Sequence, residues 1–273
     1  MTKINDKFVF NHNYHSHCEL CGHAVGTISE YCDSAFKNGF KEWGVSDHGP
    51  LLDEWKSRMS FDEFLNVYLP EIELNQKKYQ GKMKILKALE IEYYPEYNDL
   101  YLDYLNKYKL DYLILGQHAL KTNDKIINLY NGLTLDEVYI YRDEVVNALN
   151  TKYFKVLAHP DLFMLSLTRN NEKWSKELDE VSKDIIEACI NNDVYIEVNI
   201  NGARRGIVKN ELEEDTWQYP YLNFFRIASQ YKNAKFILGL DCHKLTDIGD
   251  SKAKEVIDFC NKLNIKLLDK IEL

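Results

Sequence analysis

Short apolar runs alternate along this chain with longer stretches in which apolar residues recur at helical spacing, the pattern of repeated βα units. Seven runs have strand length: Phe8–Phe10 leading into His15, Trp43–Ser46, Ile85–Tyr93, Asp111–Leu115, Phe154–Ala158, Val194–Val198 and Lys235–Leu240. Between them, Thr27-x-x-Glu30, Ser60-x-x-Glu63 and Thr134-x-x-Glu137 have capping-box spacing and predict helix starts. Pro70 is expected to kink or end the helix that begins at Ser60. Further helical patterns cover about Tyr97–Tyr108, Trp174–Asn191, Pro220–Tyr231 and Ser251–Leu263, so nearly every strand is followed by a helix.

This order predicts an α/β fold with a parallel sheet. The residues at the ends of the runs choose between an open sheet and a barrel. Seven of the eight histidines stand there, joined by acidic residues: His15-Ser16-His17 with His23, Asp47-His48, Glu90-Ile91-Glu92, Gln117-His118, His159-Pro160 and Asp241-Cys242-His243. An open sheet gathers its ligands at one switch point, whereas in a barrel the carboxyl ends of all strands ring one mouth. Six of the seven strands end in a candidate ligand, so a single seven-stranded barrel spanning residues 1–273 is expected, with its site at those ends.

Composition narrows the partners. At 273 residues and 45% hydrophobic, the chain can bury one large core, and no Pro/Gly/Ser-rich linker or fixed-period repeat divides it. A net charge of −9 argues against a nucleic-acid partner, because binding a phosphate polymer relies on Lys/Arg neutralisation; a small phosphorylated substrate remains compatible. Lys3, Asn5, Asp6 and Lys7 interrupt the first apolar residues, so no signal-peptide core is expected, and no run is long enough for a membrane span. The expected location is cytoplasmic. Cys18-x-x-Cys21 lacks the second pair of a structural zinc knuckle, and the six cysteines are read as free thiols.

The histidines and carboxylates read as a polynuclear metal site. His15 and His17, two apart on an extended segment, share a face and can grip one ion. His12 has the opposite parity and is expected to point away if the strand runs regularly through it. Asp241 and His243 repeat the same spacing, which turns Cys242 toward the core. Glu90 and Glu92 share parity, and either could face the site. Asp47 and Asp161 are read as ligand-orienting or turn-forming groups. Taken singly, a histidine at a strand end is hydrogen-bonded structure, but seven such coincidences argue for one centre.

In chain order, His-Ser-His at 15–17, His23, Ser-Asp-His-Gly at 46–49, Ala-Leu-Glu at 88–90, Leu-Gly-Gln-His at 115–118, Ala-His-Pro-Asp at 158–161 and Leu-Asp-Cys-His at 240–243 resemble the PHP (polymerase and histidinol phosphatase) superfamily. The stretch Glu197–Arg205 is similar to its stand-alone histidinol-phosphate phosphatase branch. The resemblance implies a distorted (β/α)7 barrel and three divalent ions. His15, His17, Glu90 and Asp241 would hold the first; Glu90, His118 and His159 the second; His23, His48 and His243 the third. It favours Glu90 over Glu92 because Glu90 takes the family's Gly-x-Glu position, with Ala88 in place of the glycine.

Such a centre suits phosphate-ester hydrolysis, since divalent cations bind phosphoryl oxygens and generate hydroxide near neutral pH. No protein nucleophile is expected, and neither a Gly-x-Ser-x-Gly elbow nor a Walker loop is present. Zn, Mn, Fe and Co all accept this donor set. Arg204 and Arg205 follow the one strand without a metal ligand; the resemblance favours Arg204 as a phosphate clamp, with Arg169 a second candidate. Asn199 could bind substrate or cap the next turn. The resemblance implies hydrolysis of L-histidinol phosphate in histidine biosynthesis. Alternative readings are a PHP phosphoesterase for nucleotides, phosphotyrosine or another small phosphate, a nuclease, or a catalytically silent metal-binding module.

Overall fold

The computed structural model describes residues 8–51, 57–122 and 125–273; Lys3, Asn5, Asp6 and Lys7, which argued against a leader, lie outside the described residues. Seven strands form one parallel sheet in sequential order: β1 His12–Asn13, β2 Glu42–Val45, β3 Lys84–Ile91, β4 Tyr112–Leu115, β5 Val156–Leu157, β6 Tyr195–Asn199 and β7 Phe236–Gly239. The ends meet. Ser16 and Cys242 form a parallel bridge, Asp241 N–H donates to the His15 carbonyl at 2.9 Å, and His17 N–H donates to the Cys242 carbonyl at 3.1 Å. The sheet is thus a nearly closed (β/α)7 barrel, as the apolar runs predicted.

Two details differ from the sequence reading. The first strand pairs further along than Phe8–Phe10, because its ladder with β2 begins only where Lys41 N–H reaches the Asn11 carbonyl. The helix from Ser60 is neither ended nor broken at Pro70. A π turn over Phe64–Tyr68 precedes the proline, with Leu69 N–H donating to the Phe64 carbonyl, and the helix continues over Leu69–Lys78. The wider turn absorbs the missing proline donor and its ring clash.

The outer helices are α1 Ile28–Lys37, α2 Leu69–Lys78, α3 Asn98–Asn106, α4 Leu135–Asn150, α5 Lys176–Asn191, α6 Leu222–Ala228 and α7 Lys252–Lys262. Thr27, Ser60 and Thr134 all form reciprocal capping boxes, with Glu30, Glu63 and Glu137. Among the described residues, no helix is long and apolar enough to cross a membrane.

Side-chain alternation separates two cores. Outward strand residues such as Ile85, Leu89, Leu113 and Ile196 pack against the helices. Inward residues Leu86, Ala88, Tyr112, Ile114, Val156, Ala158, Tyr195 and Ile237 fill the barrel with Tyr14 and Ile271. The chain end closes the lower opening: Ile271 N–H donates to Tyr14 Oη at 3.1 Å and Glu272 N–H to Tyr195 Oη at 2.9 Å. The barrel interior is therefore a solid apolar floor beneath the carboxyl ends.

Candidate metal centre

Each inward row changes character as it rises. On β3 the row runs Leu86, Ala88, Glu90; on β4 it runs Ile114, Gly116, His118; on β7 it runs Ile237, Gly239, Asp241. The glycines leave room for the carboxylates. A Cβ on Gly116 would sit 2.2 Å from Glu90 Oε1, and one on Gly239 would sit 2.1 Å from Glu197 Oε2. His159 and Asp241 adopt left-handed backbone angles, φ 29° and 45°, which L-residues rarely hold except where surrounding structure enforces them at a functional site.

Glu90 lies at the centre. Its Oε2 is 3.3 Å from His15 Nε2 and 3.4 Å from His17 Nε2, while its Oε1 is 2.9 Å from His159 Nε2 and 3.4 Å from His118 Nε2. Ligand atoms of His15, His17 and Asp241 fall within 4.8 Å of one another, as do those of Glu90, His118 and His159. One carboxylate thus faces both groups. Glu92, the other candidate from the sequence, does not. It accepts from Arg58 Nη2 at 3.0 and 2.9 Å and from His118 Nδ1 at 2.9 Å.

The third group is arranged differently from the expected triad. His23 and His243 bring their Nε2 atoms within 3.1 Å, and the His48 ring lies 5.3 Å from the His23 ring. In the 4.8 Å groupings, however, His48 joins His17 and His243, while His23 joins Cys21 and His243. His243 is common to both.

The residues fit divalent cations. Nδ1–H of His15 donates to Glu197 Oε2 at 2.7 Å, that of His17 to Asp47 Oδ1 at 3.0 Å, and that of His118 to Glu92 Oε1 at 2.9 Å. Those of His23 and His243 donate to the carbonyls of Cys21 and Asp241, each at 3.0 Å. A donor at Nδ1 leaves a lone pair at Nε2, and these nitrogens converge: His15 and His17 Nε2 are 3.1 Å apart, and His118 Nε2 lies 3.3 Å from His159 Nε2, whose own Nδ1 is buried without a partner. Nδ1 of His48 is buried without a hydrogen bond, although Glu90 Oε2 lies 3.1 Å away. Ring nitrogens this close need a proton or a cation between them, and the pairing of Nδ1 with carboxylates and carbonyls suits a cation.

Electrostatics points the same way. Burial would keep His15 neutral, but Glu197, Glu90 and Asp241 overcome it and raise its pKa well above the usual histidine value. Against the same burial, hydrogen bonds to Asp241 and Asp47 raise His17. Burial would raise Glu90 and Asp241, yet the neighbouring imidazoles hold both well below the usual carboxylate range. His48 and His243 move the other way, His243 down to about 3, through burial and then the charge on His17 for His243, and through burial for His48. The carboxylates demand compensating charge, and cations bound by unprotonated imidazoles can supply it.

Above these groups opens a cavity of about 580 Å³. Arg205 lines it, its guanidinium 5.4 Å from the Tyr130 ring centre and 5.7 Å from that of Tyr219, with Nε donating to Tyr219 Oη at 2.9 Å. Arg204, favoured from the sequence, faces away. Its Nε donates to Asp250 Oδ2 at 2.8 Å, and its Nη atoms reach the Leu240 and Asp247 carbonyls at 3.1 Å each. The short helical turn Ile200–Ala203 intervenes, and about 100° of rotation per helical residue sends adjacent side chains in different directions. Arg169 is exposed and donates to the Tyr130 carbonyl. Asn199 is fully buried: its Oδ1 caps that turn through Gly202 N–H at 2.9 Å, and its Nδ2 donates to Asp241 Oδ2 at 3.0 Å.

His12 belongs to none of the groups, but parity is not the reason. Asn13 Nδ2 donates to the His15 carbonyl, the strand is irregular past Asn13, and Tyr14 points into the barrel floor. His12 lies at the amino end of its strand, opposite Glu42. Asp47 bonds His17 Nδ1, the orienting role expected of it, whereas Asp161 sits in the turn after His159 and accepts Tyr221 N–H at 2.5 Å. Sequence reasoning missed Glu197 and Arg58 as orienting groups. The acid at the inward position two before Asn199 on a ligand-free strand was the available signal for Glu197.

A family model of the PHP domain matches residues 13–201. The chain is 25% identical over 262 residues to the histidinol-phosphatase of Bacillus subtilis (strain 168), covering 86% of this chain and 94% of that protein. It is similar in fold to the crystal structure of histidinol phosphate phosphatase from Lactococcus lactis subsp. lactis Il1403 complexed with zinc, L-histidinol and phosphate, with TM-score 0.67, 15% identity and 95% of each chain covered. A solved Listeria monocytogenes protein gives TM-score 0.69 at 20% identity over 89% of this chain and 99% of that one.

Proposed function

Because this chain belongs to the PHP domain family, we propose that it is a metal-dependent phosphomonoesterase that hydrolyses L-histidinol phosphate to L-histidinol and phosphate in histidine biosynthesis. The observation that carries this reading is Glu90, whose two oxygens face separate imidazole pairs at the base of the cavity that Arg205 lines. His15, His17, Asp241 and Glu90 would hold one divalent ion, Glu90, His118 and His159 a second, and His23, His48 and His243 a third. Such ions supply Lewis acidity toward a phosphoryl group and toward water. Zinc, manganese, iron and cobalt suit the donors.

The chain's own groups do the rest. Glu197, Asp47 and Glu92 fix which imidazole nitrogen carries the proton, so the opposite nitrogen stays available as a ligand. Arg205 uses Nε on Tyr219, which leaves its two Nη groups to meet phosphate oxygens, and the flanking tyrosine rings keep the fork in one plane. Tyr130 and Asn128 line the same cavity. The named relatives support the choice of histidinol phosphate over other small esters.

The test is a steady-state screen of histidinol phosphate beside a nucleotide and phosphotyrosine, with and without chelator. Preferential, chelator-sensitive turnover of histidinol phosphate is expected. A clear preference for either competitor would overturn the substrate, and full activity without metal would overturn the chemistry.

A further inference from the structure

Cys18 and Cys21 flank the histidine cluster. The structure separates the two. Cys18 Sγ donates to Asp47 Oδ2 at 2.9 Å, behind His17. Cys21 reaches the third group, one ligand atom from each of Cys21, His23 and His243 lying within 4.8 Å of the others, and it also groups with His17 and Asp47.

The local chain is shaped to hold that arrangement. Glu19–Cys21 makes a single 3-10 turn, and Cys21 N–H is pinned to Asp47 Oδ2 at 3.1 Å. Gly22 then takes φ 78°, a left-handed angle that lets the chain reverse and return His23 beside the thiol. Both His23 and His243 hold Nδ1–H on a backbone carbonyl, so their Nε2 lone pairs face each other across 3.1 Å. A separate observation comes from His48. Its side chain is about nine-tenths buried, its Nδ1 lies 3.1 Å from Glu90 Oε2 without forming a hydrogen bond, and one of its ring nitrogens falls within 4.8 Å of ligand atoms of His17 and His243.

We propose that Cys21 is a metal ligand, giving the His23–His243 pocket a sulfur donor and a preference for a thiophilic cation of the zinc class. The inference rests on the surrounding histidines being cation ligands. On coordination the thiol, which otherwise donates to the Cys18 carbonyl at 3.1 Å, forms an S–metal bond and releases its proton to solvent. The pockets around Glu90 contain only nitrogen and oxygen donors, so the third pocket is chemically distinct from them. Soft sulfur there favours zinc or cobalt(II) over magnesium or manganese.

Cobalt(II) loading of the metal-stripped protein under anaerobic conditions tests this by absorption. Thiolate ligation gives an intense near-ultraviolet sulfur-to-cobalt charge-transfer band, which imidazole and carboxylate donors do not give. The band is expected in the wild type and in Cys18→Ser, and is lost in Cys21→Ser while visible d–d absorption from the remaining pockets persists. Cys21→Ser should also surrender one cobalt ion at lower chelator concentration than the wild type. Cobalt binding with d–d bands but no charge transfer in the wild type overturns the proposal whatever the variants do, as does a band that survives in Cys21→Ser. A wild type that binds no cobalt overturns the metal-centre reading itself, and the proposal with it.

Discussion

Glu197 Oε2 accepts the Nδ1 proton of His15 at 2.7 Å, from a strand that holds none of the proposed ligands. The carboxylate thereby fixes the imidazole's tautomer and raises the basicity of the nitrogen that faces Glu90. Outer partners of this kind change metal affinity by about ten- to hundredfold. Glu197→Gln should lower cation affinity by that factor in a chelator competition, with the fold intact by circular dichroism. Gly239→Ala, whose Cβ would sit 2.1 Å from Glu197 Oε2, should reproduce the loss. Wild-type affinity in both variants would remove Glu197 from the centre.

Glu90 and His118 contrast with His12. Glu90→Gln removes the charge shared by two imidazole pairs, and His118→Ala removes a proposed ligand outright, so each should lower metal content and depress kcat heavily. His12→Ala should be mild, because His12 lies at the amino end of β1 opposite Glu42. Metal analysis beside steady-state kinetics checks the set. Equal damage from His12→Ala and His118→Ala would mean the chain enters the barrel differently from the path described.

The neighbouring arginines should separate by phenotype. Arg205→Ala is expected to lower kcat/KM by roughly ten- to hundredfold, the equivalent of losing a charge-assisted hydrogen bond worth about 1.5–3 kcal/mol, with metal content unchanged. Arg204→Ala should instead lower the melting temperature, because its guanidinium ties the turn after β6 to Asp250 and to the Leu240 and Asp247 carbonyls. If Arg204→Ala depresses kcat/KM more than Arg205→Ala without affecting stability, the assignment is reversed.

The contrast between Arg204 and Arg205 also shows where the sequence stops being legible. Strand ends such as Ile85–Tyr93 announce the barrel and an inward acid at 90 or 92, because an inward row that turns from leucine and alanine to glutamate has few other uses at a strand terminus; the choice of Glu90 rests on the family resemblance. Capping boxes at Thr27, Ser60 and Thr134 are equally local and equally readable. Which of two adjacent arginines enters the cavity depends on the rotation of a four-residue helical turn, and no periodicity encodes that. Glu92 and Glu197 escaped as orienting groups for a related reason: their roles rest on contacts with His118 and His15 across the barrel mouth, between residues 26 and 182 positions apart. The place of Cys21 depends likewise on a single left-handed glycine.

The last prediction concerns pH. Burial opposes protonation of His118, but Glu90 and Glu92 overcome it and raise its pKa from 6.5 to about 9; His15 and His17 shift in the same direction. A folded pKa above the unfolded one means that the metal-free fold binds protons more tightly than the unfolded chain. The resulting stability is complete below about pH 6.5 and is lost as pH rises through about 9. The melting temperature of metal-stripped protein should therefore fall across this window. Cations compete with those same protons for the imidazoles, so metal affinity should rise as stability falls, by up to about tenfold per pH unit for each proton displaced. Calorimetry of stripped and loaded protein at several pH values would show the stabilisation by metal growing toward alkaline pH. A stripped protein that becomes more stable between pH 6.5 and 9 would mean that Glu90 and Glu92 do not govern His118.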